Sequence, residues 1–272
     1  MALDALLFDL DGTLIDTNGQ HALAWAEAIG RFGYRIPAER VLLEIGKGGD
    51  RLVPALLGDR VEEEEGEALR EAHGELFQER IAREGVKVFP GTRKLLAACR
   101  ERGLRTAVAT ASKKEQLDEM LERAGLELDE LVDAVVNDSD VDRSKPNPDV
   151  VDAAVGKLGL SAAQCAMVGD TPYDATAARR AGVVCFGVLT GAHPAAALRR
   201  AWARAVWRDA AELHERLDAA LALASPGEAR WSQDRLDAVM GDALGEARRA
   251  AESGEEAVGA VVVDGGGRRL AA

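Results

Sequence analysis

Cysteine is scarce and unpaired in this chain. Cys99, Cys165 and Cys185 are the only three in 272 residues. Odd in number, scattered and free of any CxxC spacing, they exclude a disulfide framework and a thiolate zinc site and read as reduced, buried thiols of a cytosolic protein. Long apolar runs are missing too, since none approaches the ~20 residues that a membrane-spanning helix needs. Met1-Ala2-Leu3-Asp4 carries no basic segment of the kind that opens a secretory signal, so a cytoplasmic protein with no membrane partner is expected. Positive charge is in deficit: 34 basic against 47 acidic residues give a formal charge of −13. With no basic cluster anywhere, that balance argues against nucleic acid as a partner.

What is there begins with Ala5-Leu6-Leu7-Phe8, a short apolar run without helical periodicity that ends in Asp9-Leu10-Asp11-Gly12-Thr13. It reads as a buried strand whose C-terminal end delivers two carboxylates to a loop. Open α/β sheets bind their ligands at that edge. Acids one residue apart on a strand face opposite ways, but a turn at Asp11-Gly12 brings both toward one point, where they repel unless a cation sits between them. A hard, oxygen-seeking cation such as Mg2+ suits such a pair. Asp at a strand end is also ordinary turn chemistry.

From Thr17 to about Val86 no strand intervenes. Asn18 is placed as N-cap of a helix from His21 to Phe32, and shorter helices follow from Pro37 to Ile45 and from Asp50 to Leu57. Gly46-Lys47-Gly48-Gly49 breaks them, and a long acidic helix runs from Val61 to Glu84. Glu62 to Glu65 read as the solvated start of that helix and not as a metal site. After Pro90 helices and short apolar runs alternate, with strands at Thr106–Thr110, Ala134–Val136, Ala166–Val168, Val183–Phe186 and an edge strand at Ala205-Val206. The expected fold is therefore α/β, a doubly wound, Rossmann-like parallel sheet. Residues 1–16 and 86–223 form its core, 17–85 an inserted all-helical cap, and 224–272 an extension beyond a linker at Ala224-Ser225-Pro226-Gly227.

Three later strand ends carry the polar groups that the first would need. Thr110 closes one, with Ser112 two residues on, where hydroxyls and helix N-terminal N–H groups can hold phosphate oxygens; Ser112 equally serves as a helix cap. Lys145 lies in Ser144-Lys145-Pro146-Asn147-Pro148-Asp149, where two prolines hold the backbone ahead of a helix. Gly169-Asp170-Thr171-Pro172-Tyr173-Asp174 follows the fourth, and Asp174 equally compensates the dipole of the helix that Pro172 opens.

In order and in strand-loop context, these four segments resemble the four motifs of the haloacid dehalogenase-like hydrolase superfamily over residues 5 to about 190. The resemblance implies Asp9 as nucleophile, Asp11 as acid and base, Thr110 and Lys145 on the phosphoryl group, and Mg2+ held by Asp9, Asp11, Asp170 and Asp174. It also implies a phosphatase of small phosphomonoesters working through an aspartyl-phosphate, with a phosphorylated metabolite as partner. Asp16-Thr17 followed by His21 and Trp25 resembles the β-phosphoglucomutase-like branch, in which a histidine so placed contacts the general acid. Gly169-Asp170, where the mutase has Glu-Asp, and the Gly-Lys-Gly-Gly loop suit phosphoglycolate-phosphatase-like members better. Lys47 in that loop is a candidate for a second anionic group of the substrate. A sugar-phosphate mutase and a non-catalytic metabolite-binding module are the alternatives.

The last stretch reads as a helix from Asp234 to Ser253 and a hairpin built from Ala257–Val263 and Arg268-Arg269-Leu270. Residues 246–264 resemble the opening helix and strand of zinc-dependent deaminases, but no His-x-Glu or Cys-x-x-Cys element accompanies them, so zinc has no ligands there.

Overall fold

The structure, a computed structural model, describes residues 3–224, 233–252, 262–263 and 269–271. It divides into two compact units, Met1–Ser225 and Pro226–Ala272.

In the first unit, strand β1 (Ala5–Phe8) is no more than 1% exposed at any residue, as a strand covered on both faces must be. A two-residue strand β2 (Ile15–Asp16) follows it. Four helices come next: α1 (Asn18–Arg31), α2 (Ala38–Leu42), α3 (Gly49–Leu57) and α4 (Asp59–Glu84). Strand β3 (Lys87–Val88) then pairs antiparallel with β2, so the two chain segments that lead into and out of the helical insert are tied together at its neck. The alternating part runs α5 (Thr92–Glu101), β4 (Arg105–Ala109), α6 (Lys114–Ala124), α7 (Leu128–Leu131), β5 (Ala134–Val136), α8 (Asp149–Lys157), β6 (Cys165–Gly169), α9 (Pro172–Arg180), β7 (Val184–Val188), α10 (Ala195–Arg200), β8 (Ala203–Trp207), α11 (Ala210–Glu215) and α12 (Leu217–Ala224).

Six of the strands form one parallel sheet in the order β5-β4-β1-β6-β7-β8. The order reverses at β1, the switch point at which such sheets open a crevice beyond their strand ends. Register sets what meets there. Phe8 lies level with Val108 and with Val168, which brings Asp9, Thr110 and Asp170 to the same edge. Leu6, Phe8, Val108, Val168 and Phe186 face one layer of helices, whereas Leu7, Ala107, Met167 and Cys185 face the layer of α8 and α9. The insert has its own small core of Trp25, Ile29, Val41, Leu52 and Leu69. All three cysteines are buried and unpaired.

One expectation needs correction. Thr17 and not Asn18 occupies the N-cap of α1, without a side-chain cap bond, because the Asn18 amide is drawn to a carboxylate across the chain. The short ladder of β2 and β3 has too few residues to leave a period in the sequence. In the second unit, helix α13 (Gln233–Glu252) and the antiparallel strands β9 (Val262–Val263) and β10 (Arg269–Ala271) are described. Residues 257–261 and 268 of the expected hairpin lie outside the described residues. Among the described residues no helix is long and apolar enough to cross a membrane.

Candidate active site

The two acids that close β1 part company. Asp9, 4% exposed, continues the strand and joins Asp170 and Asp174, both fully buried, and one oxygen of each carboxylate lies within 4.8 Å of the others. Lys145 is the cation that enters this group. Its ammonium bonds Asp9 Oδ1, lies 2.8 Å from Asp174 Oδ1 and donates to the Ala109 carbonyl at 3.0 Å, with the side chain 1% exposed. Asp174 Oδ2 meanwhile accepts from the backbone N–H and hydroxyl of Thr171 in a capping box at the start of α9. Asp174 thus stands both in the first turn of α9 and in the carboxylate cluster.

Three carboxylates facing one ammonium are short of positive charge. Burial, against the pull of Lys145, pushes the Asp9 carboxyl well above its usual range. Burial and the neighbouring Asp174 push Asp170 up to about 7, against hydrogen bonds from Asn18 and Thr13. Lys145, which burial alone would depress, is raised because Asp174 and Asp9 outweigh it. Such an all-oxygen donor set with an unmet negative charge fits a hard divalent cation.

Asp11 does not belong to that set. Its carboxylate turns away and accepts from Thr17 Oγ1 at 2.6 Å, Ser112 Oγ at 3.0 Å and Thr110 Oγ1 at 3.3 Å, with His21 Nε2 at 3.4 Å. Burial would raise its pKa, but His21, Thr17 and Ser112 outweigh burial and hold it at about 2. This corrects the expectation of a fourth metal carboxylate: the turn at Gly12 (φ +80°) separates the two acids where the sequence reading had them converge. The hydroxyls of Thr110 and Ser112, expected at the phosphoryl group, both donate to Asp11.

His21 stands in the expected place beside Asp11 and is held there by partners the sequence reading missed. Its Nδ1 lies 3.1 Å from Nε2 of His73 on α4, its ring stacks on Phe77 at 3.7 Å, and His73 stacks on Trp25 at 4.2 Å. Burial and His21 hold His73 well below the usual histidine range. A signal was available, because Leu69, His73, Leu76 and Phe77 recur at helical spacing and all are buried.

The cap loop closes over these groups. A cavity of about 410 Å³ is lined by Asp9, Asp11 and Lys145 from the core and by Gly46 to Asp50, Arg70 and His73 from the insert. The Ser144 hydroxyl, next to Lys145, donates to Asp50 Oδ1, and the Tyr173 hydroxyl, next to Asp174, donates to the Leu43 carbonyl at 2.9 Å. Lys47 pairs with Glu44 at 2.5 Å and lies 4.6 Å from the Tyr173 ring centroid. A substrate anion would therefore have to compete with Glu44 for it. The loop's glycines are required by this docking: a Cβ on Gly48 would stand 2.5 Å from Ser144 Cβ, and one on Gly46, at φ +99°, 2.7 Å from Thr171 Cγ2. Overpacking of this kind costs about 1–3 kcal/mol. Gly48→Ala should accordingly lower kcat/KM by roughly tenfold, and an unchanged value would mean that the loop does not dock in this way during turnover.

Comparison with known proteins agrees with this geometry. The profile of the haloacid dehalogenase-like hydrolases matches residues 3–182. A phosphoglycolate phosphatase of Nitrosospira multiformis is 34% identical over 195 residues, which span 70% of this chain and 85% of that protein. Pyrophosphatase PpaX of Halalkalibacterium halodurans is 29% identical over 188 residues, spanning 67% and 82%. A crystal structure of a hydrolase from Pseudomonas syringae superposes with a TM-score of 0.73 at 30% identity, covering 79% of this chain and 98% of that one. The deaminase resemblance of residues 246–264 receives no support from these matches, and residues 253–261 and 264 lie outside the described ones.

Proposed function

The chain belongs to the haloacid dehalogenase-like hydrolase family, and on that footing we propose that it is a Mg2+-dependent phosphatase that hydrolyses small phosphomonoesters through an aspartyl-phosphate on Asp9. The observation that carries this reading is the separation of the two acids into unlike environments, one electrostatically bound to Lys145 among other carboxylates, the other ionised in a nest of donors. Environments that drive two carboxylates apart assign them different tasks.

Asp9 lines the cavity and has an oxygen to offer to phosphorus. Attack forms the Asp9 O–P bond and breaks the bond to the leaving oxygen, which takes up a proton; water then attacks the acyl phosphate, gives its proton to Asp11 and releases inorganic phosphate. Asp11 is set for the second step, since His21, Thr17 and Ser112 keep it ionised. In the first step it gives a proton only after the Thr17 and Ser112 bonds yield. Lys145 offsets negative charge on Asp9 and on the phosphoryl oxygens. Asp9, Asp170 and Asp174 would hold Mg2+, which when bound neutralises charge on the transferring group.

The relatives named for phosphoglycolate and for pyrophosphate place small phosphorylated anions foremost among the substrates to test. The purified full chain should release phosphate from one or more of phosphoglycolate, pyrophosphate and sugar phosphates with Mg2+, stop in EDTA and recover when Mg2+ is restored in excess. A panel with no turnover, in which a phosphorylated metabolite nevertheless raised the melting temperature, would replace the enzyme by a binding module.

A further inference from the structure

Asn18 opens α1, the helix by which the chain enters the insert, yet its side chain serves the core. Nδ2 donates to Oδ2 of Asp170, 152 residues away, at 2.8 Å, and Thr13 Oγ1 donates to the other oxygen, Oδ1, at 3.1 Å. Asn18 is 7% exposed, and its own Oδ1 is buried with no hydrogen-bond partner among the described residues. An acceptor left so costs about 1–3 kcal/mol, a cost that packing alone would remove by placing an apolar side chain there. The chain instead builds around the amide. A Cβ on Gly12 would stand 2.1 Å from Asn18 Nδ2 and 2.4 Å from Asp170 Oδ2, and one on Gly191 would stand 2.1 Å from the same Asp170 oxygen. Two side-chain-free positions thus press backbone against the amide-carboxylate pair and fix its orientation.

We propose that Asn18 is a positioning residue of the cation site, its Nδ2 setting which lone pairs Asp170 turns to Mg2+ and its Oδ1 accepting from a water that the cation carries. The inference rests on the Mg2+ reading above and deepens it. Mg2+ demands near-octahedral geometry and keeps several of its waters, so its binding depends on groups that aim the ligands and on acceptors for those waters. Groups of this kind change metal affinity by about 10–100-fold when removed. The arrangement also makes the first residue of α1 a partner of a core carboxylate that would hold the cation, so that the proposed site reaches the start of the insert.

Isothermal titration of the full chain with Mg2+ tests this, for the wild type, Asn18→Ala and Asn18→Leu, with melting temperatures measured in EDTA. Leu fills the volume without a donor or acceptor; Ala leaves room for solvent and decides the matter if the Leu variant does not fold. The expected result is a Kd for Mg2+ about 10–100-fold weaker in variants whose melting in EDTA matches the wild type. Variants that bind within twofold of a wild type that does bind overturn the role of Asn18 and leave the Mg2+ requirement standing. A wild type that takes up no Mg2+ overturns that requirement, and this inference with it.

Discussion

Asp9→Asn is expected to fold, to bind substrate and to turn over at least about 10⁴-fold more slowly than the wild type, the scale on which removal of a nucleophile acts. The amide keeps the shape of the carboxylate and lacks only the oxygen nucleophile. Its second effect is on stability. Burial raises the Asp9 pKa well above its unfolded value, and a carboxyl so shifted detracts from stability at neutral pH, because folding then favours the protonated form. Without Mg2+, the neutral amide removes one of three like charges around Lys145. The melting temperature of Asp9→Asn in EDTA should therefore equal or exceed that of the wild type. Steady-state phosphate release and thermal melting in EDTA check the two halves separately. Full activity in the variant would place the nucleophile elsewhere, and a marked loss of melting temperature would mean that the Lys145 pair, and not charge crowding, dominates this corner.

Lys145→Met should be the most destabilising single change at the site, by about 3–5 kcal/mol, the usual cost of leaving buried charge without its partner. The raised pKa of Lys145 means that the lysine itself stays charged at every pH below the ordinary lysine range. The acids therefore set the window. With Asp170 pushed up to about 7 and Asp9 also raised, the cluster takes up protons as pH falls and carries less negative charge for the ammonium to offset. The loss in Lys145→Met is thus expected to be smaller at pH 5 than at pH 8, and excess Mg2+ should recover part of it. Urea denaturation in EDTA at the two pH values measures this. Equal losses at both would show that the methionine fails for reasons of packing.

Some of this was readable before any coordinates. The unbroken apolar run Ala5–Phe8 and the return of alternation after Pro90 announced a parallel α/β sheet, because strands covered on both faces need apolar side chains at every position. Asp9, Lys145 and Asp170 stood out as candidate site residues because each lies at a strand end or in a proline-braced loop whose segment resembles a motif of the family. The insert was readable from the absence of strands between Thr17 and Val86, although its paired neck, Ile15-Asp16 with Lys87-Val88, was too short to register.

By itself the sequence determined which residues stand at the strand ends, since periodicity and turn residues are local properties carried by neighbours in the chain. Where each side chain points was decided only by tertiary structure. Asp11 turns to Thr17, Thr110 and Ser112, and the Asn18 side chain, expected to cap the helix, reaches Asp170 instead. Lys47 turns to Glu44, and His73 comes from α4 to stand behind His21. Each of these outcomes is a competition among hydrogen-bond and charge partners. Most of the winning partners lie tens of residues or more away, and where Thr17 and Glu44 lie close by, the orientation is still set by the folded cavity. Local pattern has no access to such a competition.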